Sequence, residues 1–311
     1  MIRISVIIPT YNRSELLRRV IKGYLEQSLA SELFEIIVVN DASTDATEGM
    51  LVEEFGDLIT IINQAKLGPA HARNLGIEAA QGEFLYFTND DMLPEIDLLE
   101  KHLTAHELYA GQRAILGYVK WAADLEVTPL MHYVTEVGGG QFSYFRIQDP
   151  LNVPGRYFYT CNISLHRDWL TRERFATEMV YPILEDVELG YRLEQKGLKL
   201  VFVREAVVYH EHQLEMEGFL SRQYKAGCIA VWLAKRYPEL KKELGIIRAG
   251  EVVIDQDILQ TADELRIIIE EKLKSKGDSN LFGLNKLEQA LYECYSLLIG
   301  ASYYQGVQDS V

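Results

Sequence analysis

Cysteine is scarce: Cys161, Cys228 and Cys294 are the three in 311 residues, widely spaced and without a CxxC pair. That excludes a disulfide framework and a cysteine zinc site, and leaves core filler as the expected role of each. Long apolar runs are missing too. No stretch approaches the roughly 18 residues that a membrane-spanning helix needs. The opening Met1-Ile2-Arg3-Ile4-Ser5 lacks the apolar stretch of a secretory leader, so a cytoplasmic protein is expected. Positive charge is in deficit, with 31 Lys+Arg against 46 Asp+Glu and a net charge of -15. Such a field repels polyanions, so nucleic acid is not an expected partner. One basic cluster, Lys235-Arg236 with Lys241-Lys242, reads as a solvated helix face, with contact to a membrane surface as the alternative. There is no GxGxxG after the first apolar run, and no GxxxxGK[ST], HExxH or GxSxG. Nicotinamide oxidoreductases and P-loop enzymes are thereby disfavoured.

What is present is an ordinary globular balance, 48% hydrophobic and 25% charged. Residues 3–8, a short β-branched run, and 34–40 predict buried strands, and 58–63 and 83–88 predict a third and a fourth strand. Between them, helical spacing predicts helices over 14–29, from a start at Ser43-Thr44-Asp45 capped by Ser43 or Thr44, and over 69–80. Strand and helix thus alternate through the first ninety residues, which argues for an α/β fold with a mostly parallel sheet flanked by helices. Pro94 is expected in the first turn of a helix reaching Tyr109. Further strands are expected at 113–119, 158–166 and 199–209, and a helix at 185–196. Residues 120–157 are irregular. Gly138-Gly139-Gly140 with Phe142, Tyr144, Phe145 and Tyr157 could make a lid or acceptor platform, or a packed surface loop. Residues 213–236, 256–275 and 283–304 read as a C-terminal helical appendage. Its apolar stripes fit burial within the monomer, and leave a homodimer or a membrane contact open.

Ligands of parallel α/β sheets sit beyond the carboxyl ends of the strands. Here three strands end in polar clusters: Thr10-Tyr11-Asn12, Asn40-Asp41 and Asn89-Asp90-Asp91. Carboxylates at a strand end suit a hard divalent cation, which commonly keeps waters and bridges substrate phosphates. The same acids also suit a helix N-terminus. Glu185-Asp186 opens a helix and could supply a general base. His210, at the end of an apolar strand, could complete a metal shell and tilt the choice toward Mn²⁺, with His212 as the alternative ligand.

These segments resemble the family 2 glycosyltransferases of the GT-A fold. SVIIPTYNR (5–13) is similar to the family's opening, and VVNDASTD (38–45) to its VVDDGSTD. GPAHARNLGIEAAQGEFLYFTNDDMLP (68–94) resembles the approach to its DxD motif. TCNISLHRD (160–168) resembles its acceptor-side segment, EDVELGYRLEQKGLKLVF (185–202) its ED motif and VVYHEH (207–212) its late histidine segment. The matches run in order over about two thirds of the chain.

The resemblance implies a transferase domain at 1–212, with a nucleotide-binding half at 1–92 and an acceptor half at 93–212, followed by the helical region 213–311. It implies that Pro9, Thr10 and Tyr11 line the base and ribose, that Asp41 bonds the base, and that Arg73 lies near the base or diphosphate. Asn89 and Asp90 would sit near the ribose. Asp91 and His210 would hold Mn²⁺ or Mg²⁺, and Asp186 would be the catalytic base. The implied reaction is inverting transfer from a nucleotide sugar, expected to be a UDP-sugar, to a glycan or lipid-linked acceptor, as in polysaccharide biosynthesis. The implied place is the cytoplasm, with the inner membrane face as an alternative. Three positions depart from the family: Asn40 for Asp, Ala42 for Gly and Asn89 for the first acid of DxD. The rivals are a sugar nucleotidyltransferase, against which the loop PTYNR argues, and a binding or scaffold protein on an inactive GT-A fold.

Overall fold

The computed structural model describes residues 1–111, 113–246, 252–276 and 281–311. It divides into two compact units. The first comprises residues 1–126, 147–178 and 185–212, the second 127–146, 179–184 and 213–311.

The first unit is built on one eight-stranded sheet of order β3-β2-β1-β4-β7-β6-β8-β5. Its strands are β1 (Ile4–Thr10), β2 (Phe34–Asp41), β3 (Thr60–Gln64), β4 (Phe84–Thr88), β5 (Met92–Pro94), β6 (Arg113–Trp121), β7 (Asn162–His166) and β8 (Lys199–His210). Its helices are α1 (Ser14–Leu25), α2 (Thr47–Phe55), α3 (Pro69–Ala79), α4 (Leu98–Leu108), a short α6 (Trp169–Arg172) and α7 (Glu185–Gln195). The short α5 (Pro129–His132) belongs to the second unit.

All seven residues of β1 are buried, as a central strand covered on both faces requires. It pairs in parallel with β2 and β4, and β2 with β3. These pairings align the carboxyl ends of β1, β2 and β4 along one edge. The antiparallel strand β7 joins β4 to β6, and β6 runs parallel to β8. Gly76 lets α3 lie against β1, because a Cβ there would stand 2.4 Å from Ile7 Cγ2.

Two predicted helix starts fall elsewhere. Pro94 does not open a helix: it ends β5, paired to Val208 of β8, and α4 starts at Leu98. Pairing to β8 captures the segment that proline preference alone assigns to a helix. Likewise α2 begins at Thr47, and its N-cap, Ala46, makes no side-chain cap. Ser43 Oγ instead accepts from Asn12 N at 2.9 Å, and Thr44 N donates to Asn12 Oδ1 at 2.7 Å. The two hydroxyl residues tie neighbouring strand-end loops together.

The second unit gathers α5 with three long helices, α8 (Met216–Arg236), α9 (Gln256–Lys276) and α10 (Leu281–Gln308). Leu130, Tyr133, Val134, Phe219, Ile269, Leu291 and Tyr295 form its core. Helices α8 and α10 cross closely at Gly227 and Gly306, where a Cβ would approach Tyr303 O or Tyr224 O to 2.0 and 1.9 Å. Within the loop 138–146, Tyr144 is buried and Phe145 is exposed. Among the described residues no helix is long and apolar enough to cross a membrane.

Under the sheet edge, α4 presents two buried histidines one turn apart. His102 Nδ1 lies 2.8 Å from Ser164 Oγ and its Nε2 2.9 Å from Asn162 Oδ1, while His106 Nε2 lies 2.8 Å from the same serine oxygen. Asn162 also accepts from Tyr86 OH and donates to Ala206 O, so α4, β4, β7 and β8 share one polar network. Burial pulls His102 down to about 4 from the ordinary 6.5, opposed in part by the Asn162 hydrogen bond. Burial, and then the charges of His102, His166 and Arg3, pull His106 down to about 3. Both rings are therefore neutral in the fold, whereas an unfolded chain protonates them below 6.5. Stability is complete above that pH and falls as pH drops from 6.5 toward 4. Each ring adds a slope of roughly 1.4 kcal/mol per pH unit in that window. Urea unfolding of wild type and His106→Gln between pH 7.5 and 4.5 checks this: the variant's stability should decline less steeply. Equal slopes would show that His106 carries no linked proton.

Candidate active site

Thr10 at the end of β1 donates through Oγ1 to Asp90 Oδ2 at 2.8 Å. The buried Pro9 precedes it, and Tyr11 is exposed, with the Lys66 ammonium 2.8 Å from its ring centroid. Asp41 at the end of β2 organises the β3–α3 loop. Its Oδ1 accepts from Gln64 Nε2 at 2.6 Å, Leu67 N at 2.8 Å and Gly68 N at 3.1 Å, and its Oδ2 from Gly68 N at 3.0 Å. Gly68, at φ 88°, then turns the chain into α3, with Pro69 in the first turn.

From α3 the buried Arg73 reaches in two directions. Its Nη1 donates to Glu185 Oε1 at 2.8 Å and its Nη2 to Asn89 Oδ1 at 3.1 Å. One guanidinium thus joins the start of α7 to the end of β4, and so sets the helix turn carrying Asp186 against the segment carrying Asp91. Asp186 is half-buried, and its Oδ1 accepts from Val187 N at 2.8 Å. Cys161 lies within the field of both carboxylates: burial, then Asp186 and Asp91, push its thiol well above the ordinary range.

His210 is brought to Asp91 by strand pairing. Met92 of β5 is in register with His210 of β8, and Glu211 N donates to Asp91 O at 3.0 Å. His210 Nε2 lies 3.5 Å from Asp91 Oδ2, and the ring stacks on Trp121 at 5.1 Å between centroids. His212 is exposed, its ring 6.0 Å from that of His210. The pairing therefore selects His210 of the two histidines as the neighbour of Asp91.

Arg13, just before α1, places Nη1 2.5 Å from Asp91 Oδ2 and 3.5 Å from Asp90 Oδ1. Burial and the adjacent Asp91 charge push Asp90 up to about 6, against the pull of Arg13 and Thr10. Burial also acts to raise Asp91, but the hydrogen bond and charge of His210, with Arg13, outweigh it and hold Asp91 down to about 2. The pair thus keeps an ionised carboxylate at Asp91 throughout the neutral range.

Asp91 Oδ1 is buried and has no hydrogen-bond partner among the described residues. An imidazole nitrogen beside a carboxylate with an unsatisfied oxygen is a donor set that fits Mn²⁺ or Mg²⁺. Among the described residues no three His, Cys, Asp or Glu side chains come together as a metal cluster. Such an ion would therefore take its remaining ligands from water and substrate phosphate.

The three departures from the family pattern have local consequences. Asn40 donates through Nδ2 to Asn63 Oδ1 at 2.9 Å and accepts from Ser43 N at 3.1 Å, which no carboxylate could do at once. Asn89 offers its carbonyl to Arg73 without adding a charge beside Asp90 and Asp91. Ala42 sits at φ 58°, in the left-handed region that favours glycine. Sequence reasoning named Arg73, Asp41, Asp90, Asp91, Asp186 and His210, but gave Arg13 no role and read Glu185 only within the pair Glu185-Asp186, as helix-start acid or general base and not as the partner of Arg73. Nothing in the local sequence marks Arg13, because its contacts with Asp90 and Asp91 are made across more than seventy residues.

A mostly parallel sheet with acids at its carboxyl edge is the α/β arrangement that the resemblance to GT-A glycosyltransferases implies, and the structural neighbours share that fold. The profile described as "Glycosyl transferase family 2" matches residues 5–170, more than half of the chain, and the chain belongs to that family. Validoxylamine A glucosyltransferase of Streptomyces hygroscopicus subsp. jinggangensis (strain 5008) is 29% identical over 228 residues, 65% of this chain and 54% of that protein. Chondroitin synthase of Pasteurella multocida (strain Pm70) is 25% identical over 273 residues, 78% of this chain and 28% of that protein. The chain thus spans about half of the first relative's length and less of the second's. Two solved structures share the fold. S. aureus TarS 1-349 in complex with UDP superposes with a TM-score of 0.56 at 18% identity, covering 99% of this chain and 91% of that one. The mannosyltransferase PcManGT from Pyrobaculum calidifontis, in complex with GDP-Man and Mn²⁺, gives 0.62 at 20% identity, covering 97% and 86%.

Two substitutions follow from this geometry. Arg73→Ala leaves Glu185 buried without its ion-pair partner, and should lower the unfolding free energy by about 3 kcal/mol. Arg73→Lys should not restore it, since an ammonium lacks the two-pronged fork. Denaturant unfolding of both variants measures this, and wild-type stability in the lysine variant would contradict it. Ala42→Gly should raise stability by about 1 kcal/mol by relieving the left-handed strain, read as an increase in urea midpoint at unchanged slope.

Proposed function

We propose that this chain is an inverting, metal-dependent glycosyltransferase that uses a nucleotide-sugar donor, with a UDP-sugar favoured, and a hydroxyl of a glycan or lipid-linked saccharide as acceptor. The observation that carries the reading is Asp91: an ionised, buried carboxylate beside His210, with one oxygen unsatisfied, tied through Arg73 to the helix turn bearing Asp186. UDP on TarS and GDP-Man with Mn²⁺ on PcManGT are consistent with a nucleotide donor for this fold.

In this reading Pro9, Thr10 and Tyr11 line the base and ribose. Asp41 keeps the β3–α3 loop in place and offers Oδ2 toward the base. Asp90, held by Thr10, faces the ribose with Asn89. Asp91 and His210 hold the divalent ion, which when bound supplies positive charge to the leaving diphosphate. Asp186 takes the proton of the acceptor hydroxyl as that oxygen bonds to the anomeric carbon. The bond from the anomeric carbon to the diphosphate oxygen breaks on the opposite face, and its electron pair leaves with the nucleoside diphosphate. Configuration at the anomeric carbon inverts.

The test is thermal unfolding against UDP, GDP, ADP and CDP, each with and without Mn²⁺. A ligand that binds the native state alone raises Tm by mass action. One nucleotide should raise Tm in a manner that needs Mn²⁺ and is lost in Asp91→Asn. Absence of a shift with every nucleotide would favour a binding protein on this fold. Asp186→Asn should keep that shift while abolishing transfer, seen as loss of nucleoside diphosphate release in the presence of acceptor. Undiminished transfer would remove Asp186 from the role of base.

A further inference from the structure

Three arginines meet acids at or beside this edge, and they differ in how firmly they are held. Arg73 is 5% exposed and donates to both Glu185 and Asn89, so it is fixed by burial and by two partners. Arg19 places Nη2 2.6 Å from Glu211, whose carboxylate is 4% exposed and leans on that contact. Arg13 is different. A third of its side chain is exposed, and it approaches Asp91 through a single nitrogen, Nη1, at 2.5 Å. It can rotate into solvent without stranding a buried group of its own. Its partner is the carboxylate with the unsatisfied Oδ1.

A guanidinium and a divalent ion cannot share one carboxylate without strong repulsion, because both carry positive charge within a few ångströms in a partly desolvated site. We propose that Arg13 is a resident counter-cation that competes with the divalent ion for Asp91, so that metal and nucleoside diphosphate bind as a coupled pair. This rests on the transferase reading above, in which Asp91 holds the ion. Metal alone must displace Arg13 and leave it facing a second cation. Metal arriving with a diphosphate brings enough negative charge to offset both. By linkage, each ligand strengthens the other by the same factor. With Asn89 in place of a carboxylate, the edge has one negative charge fewer beside Asp90 and Asp91 to hold both cations, which sharpens the competition.

The experiment is Mn²⁺ titration followed by the EPR signal of the free ion, with wild type, Arg13→Gln, Arg13→Lys and Asp91→Asn, each alone and with UDP or GDP. Circular dichroism establishes that each variant is folded. Arg13→Gln should bind Mn²⁺ alone about tenfold more tightly than wild type. It should also lose most of the enhancement by nucleotide. Arg13→Lys keeps the charge and should stay near wild type, which separates charge from loss of packing and serves if the glutamine variant does not fold. Asp91→Asn should abolish binding in every background. If wild type binds Mn²⁺ with UDP or GDP through Asp91, yet Arg13→Gln binds Mn²⁺ alone no more tightly than wild type, the competition is refuted and the transferase reading stands. If no protein binds Mn²⁺ with or without either nucleotide, both fall.

Discussion

The site hangs on the Arg73 fork. One planar, permanently charged group on α3 holds the Asn89 amide with one nitrogen and the Glu185 carboxylate with another. A buried ion pair is weak as a source of net stability, because desolvation of both charges offsets most of their attraction. Its consequence here is geometric. It fixes two segments distant in sequence, 89–91 and 185–186, against each other, and these carry the residues proposed for metal binding and proton transfer. The support for Arg73 comes from Asp41, whose carboxylate gathers the amides of Leu67 and Gly68 and so sets where α3 begins. A chain of polar contacts therefore runs from the end of β2 through α3 to the end of β4 and the start of α7.

Charge at the same edge is sparingly distributed. Asp90 and Asp91 are neighbours, both buried, and two ionised carboxylates so placed would repel. Thr10, Arg13 and His210 separate their fates, so that Asp91 stays ionised while Asp90 is pushed up. The amides at 40 and 89 fit the same economy. Each supplies hydrogen bonds that its surroundings need, and neither adds another negative charge. The structural relatives at 17–20% identity speak for the fold, while the reading of the site rests on these contacts.

Below the edge, the His102, His106, Ser164 and Asn162 network holds α4 to β4 and β7 with neutral groups. Neutrality matters: protonated imidazoles in that place would lie in an apolar core without counter-charge. This makes the layer under the site sensitive to acid, and it gives the antiparallel strand β7 a polar anchor to α4.

Much of this was legible in the chain. The runs at 3–8, 34–40 and 83–88 are strands because continuous apolar segments bury both faces of a parallel sheet, and the polar residues that follow them fall at the strand ends where backbone pairing stops. The three C-terminal helices were legible from their 3.6-residue periodicity. Local pattern misplaced Pro94 and the start of α2, because proline and hydroxyl preferences describe a segment in isolation. Pairing of β5 to β8 and the bonds from Ser43 and Thr44 to Asn12 are made by residues far away. The same limit applies to the site. The sequence determined that Asp91, Asp186 and His210 each lie at or beside the end or start of an element, and that Arg73 lies within a helix. Only the tertiary structure decided that β5 and β8 pair in the register that sets His210 beside Asp91, that Arg73 bridges Asn89 and Glu185, and that Arg13 lies on the Asp90–Asp91 pair. Periodicity encodes which face of an element is buried, whereas the partner across that face is chosen by long-range hydrogen bonds and charge, which no local window contains.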